Sequence, residues 1–215
     1  MYPVQRQYES MERYVQYGNR KIYCKGDHTL LDRQSIAVIG TRNPSEKSRI
    51  AGYRMAKRMC EFADFPIVTG LAIGCDTIAS RAALDSGRPV IAVLPSGTGN
   101  IYPRSNTALA AEIVEKGGCL VSEYSPESYV EKWKFIARDR LTAEIASAVV
   151  VIQCGEASGT MHTVRAAHSL SRKLGCWIPS GTITGDFSGN HLMTAEFGAS
   201  GIRSIDELKE FLKNI

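Results

Sequence analysis

Two stretches of the sequence carry side chains suited to phosphates and bases. In EKWKFIARDRLTAEIAS, Glu131 to Ser147, the cations Lys132, Lys134, Arg138 and Arg140 stand beside Trp133 and Phe135. Cations for phosphates and aromatic faces for bases are the mixture that single-stranded nucleic acid selects. A surface helix with its apolar side inward would show the same residues, and this stretch alone leaves both readings open. In SIAVIGTRNPSEKS, Ser35 to Ser48, Arg42 sits where an apolar run hands over to a helix start. There, free backbone N–H groups and a helix N-terminus favour an anion, and an arginine adds a fixed positive charge. A solvated loop arginine would look the same.

The elements that must position these residues follow from the apolar runs. Ile36–Ile39 is continuously apolar, the pattern of a strand covered on both faces, and Gly40 ends it. Asn43, Pro44 and Ser45 then supply turn and cap chemistry, with Glu46 early in the helix. Further runs recur at Pro66–Thr69, Val90–Leu94, Cys119–Val121, Ala148–Ile152 and Cys176–Ile178. Segments with helical spacing lie between most of them: Ile50–Phe62 with Ala51, Met55, Met59 and Phe62, then Ile78–Leu84, Leu109–Val114 and a helix over Lys134–Ser147. Alternating strand and helix predicts an α/β domain with a mostly parallel, doubly wound sheet. Ser204–Ile215 reads as a closing amphipathic helix, capped by Ser204, with Ile205, Leu208, Phe211 and Leu212 inward. The first thirty residues show no such alternation, so 1–34 is expected to be an arm or capping segment and 35–215 the domain.

A parallel sheet gathers the loops after its strands on one edge, and those loops are rich in glycine, hydroxyl and charge. They are Gly40–Ser45, Thr69–Asp76, Pro95–Asn106, Ser122–Pro126 and Gly155–Thr163. Glycine lets a backbone approach phosphate, and Ser158, Thr160 and Thr163 could add hydroxyl donors at a helix start. One such loop is ordinary turn grammar; five along one edge predict an anion-binding groove. His162, His168 and His191 lack metal-ligand spacing, so no metal or cofactor is expected. The G-x-S-x-G, H-E-x-x-H and G-x-G-x-x-G patterns are absent, which disfavours a dinucleotide-dependent dehydrogenase.

Composition sets the bounds. With 215 residues, 44% hydrophobic and 22% charged, the chain supports one sizeable core. Its net charge of +4 permits an anionic partner without requiring one. The start MYPVQRQYES lacks a signal-peptide layout and no long apolar span occurs, so a cytosolic protein that does not span a membrane is expected. Six scattered cysteines with no C-x-x-C predict buried, reduced thiols.

With these residues assembled, the chain from about Ser35 to Ala199 resembles the DprA/Smf family, the DNA-processing proteins of natural transformation. IAVIGTR is similar to that family's V-A-I-V-G-[ST]-R, and VTGLAIGCDTIASRAAL to V-S-G-L-A-x-G-I-D-x-x-A-H-x-x-A-L. IYPRSN resembles I-Y-P-x-x-N, LVSEYSP resembles L-x-S-E-x-x-P, FIARDR resembles F-P-x-R-N-R, and ASGTMHT resembles S-G-[ST]-x-x-T. The resemblance implies an extended Rossmann-like domain that binds single-stranded DNA in a basic pocket, forms a homodimer and loads the RecA recombinase. By position it implies that Arg42 holds a phosphate, that Phe135 stacks, and that Arg138 and Arg140 are cations of the pocket, with Lys132 and Lys134 nearby. Gly40, Thr41, Gly70, Ser158, Gly159 and Thr160 complete the candidate DNA- and phosphate-binding set.

The chain departs from the family pattern at Ser80, where histidine is usual, at Ile136 in place of proline, and at Asp139 in place of asparagine. Asp139 puts a negative charge in the proposed groove. The core alone is expected, without the helical or winged-helix domains that many relatives add. Two other functions compete. One is a nucleotide-sensing module that uses the same groove. The other is a nucleoside-monophosphate phosphoribohydrolase, whose catalytic glutamate would fall on Thr163, a residue that cannot act as a general base at neutral pH. No catalytic residue is therefore expected.

Overall fold

Strand β3, Ile36–Ile39, is buried along its whole length and lies in the interior of a nine-stranded sheet. The computed structural model describes residues 13–181, 184–213 and 215. Within them the chain runs β1 (Arg13–Tyr17), β2 (Arg20–Gly26), β3, α1 (Glu46–Phe62), β4 (Ile67–Thr69), α2 (Cys75–Asp85), β5 (Val90–Val93), α3 (Thr107–Glu115) and β6 (Cys119–Ser122). It continues through α4 (Lys132–Ile145), β7 (Ala148–Val151), α5 (Thr160–Ser169), β8 (Lys173–Trp177), α6 (Ser188–Glu196), β9 (Ser200–Ile202) and α7 (Ile205–Lys213). The order across the sheet is β1-β2-β6-β5-β4-β3-β7-β8-β9. From β6 to β9 every pairing is parallel, whereas β2 joins β6, and β1 joins β2, in antiparallel register. This is the expected doubly wound α/β architecture.

Alternate residues of each strand feed two apolar layers. Ile36 and Val38 face α1, α2, α3 and α7, while Ala37 and Ile39 face α4, α5 and α6. Ser45 caps α1, its side chain accepting from the Ser48 N–H at 3.2 Å, and Met55 and Met59 turn inward as their spacing predicts. Phe62 stays partly exposed, with the Lys209 ammonium 5.1 Å from its ring centre. Ser204 caps α7 through the Glu207 N–H at 3.2 Å, and Leu208, Phe211 and Leu212 are buried. Ile205, expected inward, is 49% exposed and lines an open groove between α1 and α7.

All six cysteines are free and buried, and burial pushes the Cys75, Cys154 and Cys176 thiols up to about 12, so they stay protonated and unreactive. Among the described residues no helix is long and apolar enough to cross a membrane. Of the expected arm, 1–12 lie outside the described residues, and 13–26 form the β1–β2 pair that lengthens the sheet.

Candidate nucleic-acid interface

The chain leaves β3 toward β4, β5 and β6 and returns to the other side of β3 only at β7, so strand order reverses between β3 and β7. Ligands of open α/β sheets bind at such a point, beyond the carboxyl ends of the strands. A cavity of about 570 Å³ lies there, within the size range of small-molecule sites. Its floor is the loop after β3 (Gly40, Thr41, Arg42), the loop after β4 (Gly70, Ala72) with Asp76 in the first turn of α2, and the start of α5 (Ser158, Gly159, Thr160). One face of α4 forms its wall, with Lys132, Phe135, Ile136 and Asp139 at helical spacing and Arg138 and Thr142 deeper.

The deepest part is an internal charge network. Asp76 is buried and its Oδ2 accepts the Gly70 N–H at 2.8 Å and the Ala72 N–H at 3.3 Å. Burial pushes its carboxyl up to about 6, against the pull of Arg138 and of those two N–H groups. Arg138 is buried too. Its Nη1 donates to the Gly70 carbonyl and, at 3.4 Å, to the Val93 carbonyl; its Nε donates to Asp139 Oδ1 at 2.9 Å. A Cβ at Gly70 would overlap this guanidinium, so only glycine lets the loop and the arginine meet. Burial likewise raises the Asp139 carboxyl, with Arg138 as the main opposing influence and His162 and Arg42 as lesser ones.

The outer part is different. Arg42 and Lys132 are exposed and form no ion pair among the described residues. The half-buried Phe135 ring stands between the two zones, edge-on to Tyr102 at 5.7 Å, with the Arg42 guanidinium 5.3 Å and the Arg138 guanidinium 5.9 Å from its centre. Gly159 has open space where a Cβ would be. Its loop is held by Ser158, whose Oγ accepts the Thr160 N–H at 3.2 Å.

Ten of the twelve candidate residues therefore meet in one cavity, and two do not. Lys134 is buried on another side of α4, where its ammonium pairs with Glu131 at 2.8 Å, donates to the Tyr129 carbonyl at 2.8 Å and lies 4.7 Å from the Tyr124 ring. Arg140 points away from the cavity and pairs with Glu144 at 3.0 Å. Helix geometry causes both: neighbours in sequence diverge around the axis, and only every third or fourth residue shares a face. Gly70 and Arg138 line the cavity, but the Gly70 N–H serves Asp76, and Arg138 Nη1 and Nε serve two carbonyls and a carboxylate, which ties this arginine into the wall. The five-loop groove narrows as well. Ser122–Pro126 does not line the cavity; it packs on Pro95–Asn106, with the Ser122 Oγ donating to the Ser96 carbonyl at 2.7 Å and the Gly99 N–H donating to the Pro126 carbonyl. Pro95–Asn106 contributes Tyr102 and Pro103 to a small recess beside Phe135.

The candidate set omitted Asp76, Asp139 and His162. Asp76 lies in the first turn of α2, where a carboxylate reads as ordinary helix-start chemistry. His162, exposed at the cavity, is two residues past the Gly159–Thr160 pair, and its place in the first turn of α5 was the available signal.

The sheet order, the cavity at the reversal point, and an aromatic ring beside two unpaired cations define a Rossmann-like protein of the nucleotide- or nucleic-acid-binding type. The sequence profile of DNA recombination-mediator protein A matches residues 1–213. The chain belongs to that DNA-processing, or DprA/Smf, family. It is 31% identical over 192 residues to DNA processing protein DprA of Bacillus subtilis, covering 89% of this chain and 63% of that one. The solved structure of DNA processing protein A from Helicobacter pylori, which describes that protein's single-stranded DNA binding mode, superposes with a TM-score of 0.79 at 27% identity and covers 95% of this chain and 98% of that one. The Streptococcus pneumoniae protein's structure gives a TM-score of 0.76 at 30% identity, over 87% of this chain and 65% of that one. The chain thus spans about two thirds or less of the length of several relatives that it matches.

Proposed function

We propose that this protein binds single-stranded DNA in the cavity at the β3–β7 reversal and serves DNA processing in transformation or recombination. The observation that carries the reading is the junction of Arg42, Lys132 and Phe135 at one opening: two unpaired cations for successive phosphates beside a ring for a base. Ser158, Gly159 and Thr160 face the same opening, and the N-terminus of α5 behind them favours an anion. In this reading 35–215 is the binding domain and 1–34 an arm or capping segment, of which 13–26 pair onto the sheet edge. Protection of the strand, a homodimer and transfer of the DNA to RecA are the roles the family suggests for it in the cytosol.

The cavity also has the volume for a single nucleotide, so a nucleotide-sensing role is the second reading. Hydrolysis of a nucleoside monophosphate is not proposed: Thr163, at the position of a catalytic glutamate, is a buried hydroxyl with no carboxylate to serve as base. The test is a titration of a labelled mixed-sequence single-stranded oligonucleotide, with duplex DNA and a nucleoside monophosphate as competitors. Binding of a labelled nucleoside monophosphate in the absence of any binding of the oligonucleotide would replace the DNA reading with the sensing one.

A further inference from the structure

The carboxylate of Asp139 is out of place in a cavity that receives phosphates, and Arg138 uses only part of it. Among the described residues, Arg138 Nε on Oδ1 is the single hydrogen-bond donor to this side chain, so Oδ2 and a lone pair of Oδ1 remain for a ligand. Asp139 and Phe135 are four residues apart on α4, and both line the cavity. Their Cβ atoms are therefore about 5–6 Å apart on one helix face. A base stacked against Phe135 would present its edge one helical turn along, at the carboxylate. The phosphates meanwhile have their own partners in Arg42 and Lys132 at the opening.

We propose, on the basis of the single-stranded DNA reading above, that Asp139 selects for bases with an exocyclic amino group, so that the cavity prefers cytosine to thymine. A carboxylate only accepts hydrogen bonds. Cytosine N4 offers it an N–H, as in carboxylate readout of cytosine elsewhere. Thymine's only donor on that edge, N3–H, lies between the O2 and O4 carbonyls, and docking it would press a carbonyl oxygen against the negative charge. Leaving one partner of such a pair unmatched in a half-enclosed site costs more than the bond itself contributes, which is why polar sites reject analogues that lack a donor.

The experiment compares oligodeoxycytidine and oligodeoxythymidine of equal length on the full chain at neutral pH and fixed salt, for the wild type and Asp139→Asn. The wild type should bind the cytidine strand roughly tenfold more tightly, the size of one charge-assisted hydrogen bond. Asparagine keeps a carbonyl oxygen for Arg138 and can either donate or accept, so D139N should bring the ratio close to one, mainly by improving thymidine binding. Equal wild-type affinities would overturn the proposal while leaving the DNA reading intact, and binding of neither strand would overturn both. If D139N weakens both strands alike with their ratio unchanged, Asp139 only positions Arg138 and the proposal fails.

Discussion

Replacing Phe135 by alanine separates a binding ring from a packing ring. A fully buried phenylalanine costs about 3–5 kcal/mol of folding stability on truncation. Phe135 is only half-buried, and its aromatic partner is a single edge contact with Tyr102 at 5.7 Å. Such a contact is worth about 0.5–1.5 kcal/mol beyond the area buried. The folding cost should then be about 1–2 kcal/mol, or a fall of a few degrees in Tm for a domain of this size. If the ring carries a base, the same change removes about 1–3 kcal/mol of DNA affinity, a five- to 150-fold rise in Kd. Trp133 is the control, because it is 57% exposed, sits edge-on to Tyr124 at 5.6 Å, and lies outside the cavity. Trp133→Ala should leave affinity unchanged. Thermal melting and fluorescence anisotropy on both variants give the comparison. Intact affinity in a destabilised Phe135→Ala protein would refute the reasoning, as would an equal loss of affinity in Trp133→Ala.

Arg138→Met should destabilise the fold by about 3–5 kcal/mol in a denaturant titration, since it strips a buried cation from Asp76 and Asp139. Asp76, held up at about 6 against an ordinary 3.8, keeps a proton in the folded state that the unfolded chain has released. The stability it contributes is complete below about pH 4 and is lost as pH rises through about 6, a fall of about 3 kcal/mol. The stability difference between wild type and Asp76→Asn should follow that window and flatten above it; parallel curves would exclude the effect. Incubation with adenosine or cytidine monophosphate should release no free base, measured by chromatography of the products.

The buried strands and the glycine-ended loops were legible because continuous apolar runs such as Ile36–Ile39 have few alternative structures. β1 and β2 were not, because they alternate exposed residues with Ile22 and Cys24 and lie at the sheet edge, where charged side chains are tolerated. Strand β8 begins at Lys173, before the apolar residues that mark it, and β9 is three residues long. Helix α6 buries Gly189, Asn190 and Met193, a set with no apolar period to read. Helix α4 was expected at Lys134–Ser147 and runs Lys132–Ile145, and that shift leaves the cavity face unaltered. At the site, sequence proximity identified the right helix but not its inward face. Lys134 was grouped with Lys132 by charge and Arg140 by its place in the FIARDR motif, whereas Glu131 and Glu144, each on α4 or beside it, pair with them.

That sorting of cations changes the expected salt dependence of DNA binding. Each phosphate neutralised on a single strand contributes about −0.7 to the slope of log affinity against log salt. The five cations named from sequence, Arg42, Lys132, Lys134, Arg138 and Arg140, would together give a slope of about −3.5. Lys134 and Arg140 face elsewhere, and Arg138 Nη1 and Nε are engaged by two carbonyls and Asp139, with its charge set against the buried Asp76 and Asp139 carboxyls. Arg42 and Lys132 remain, so the slope per bound site should be about −1.4, and Arg42→Ala should halve it while Arg140→Ala leaves it unchanged. The rest of the affinity must then come from contacts that salt does not screen, namely the Phe135 ring and the hydroxyl and N–H donors around Gly159. Binding that falls with the steeper slope would mean that strand phosphates reach Lys134 or Arg140 outside the cavity, and the two-cation opening would no longer account for the interface.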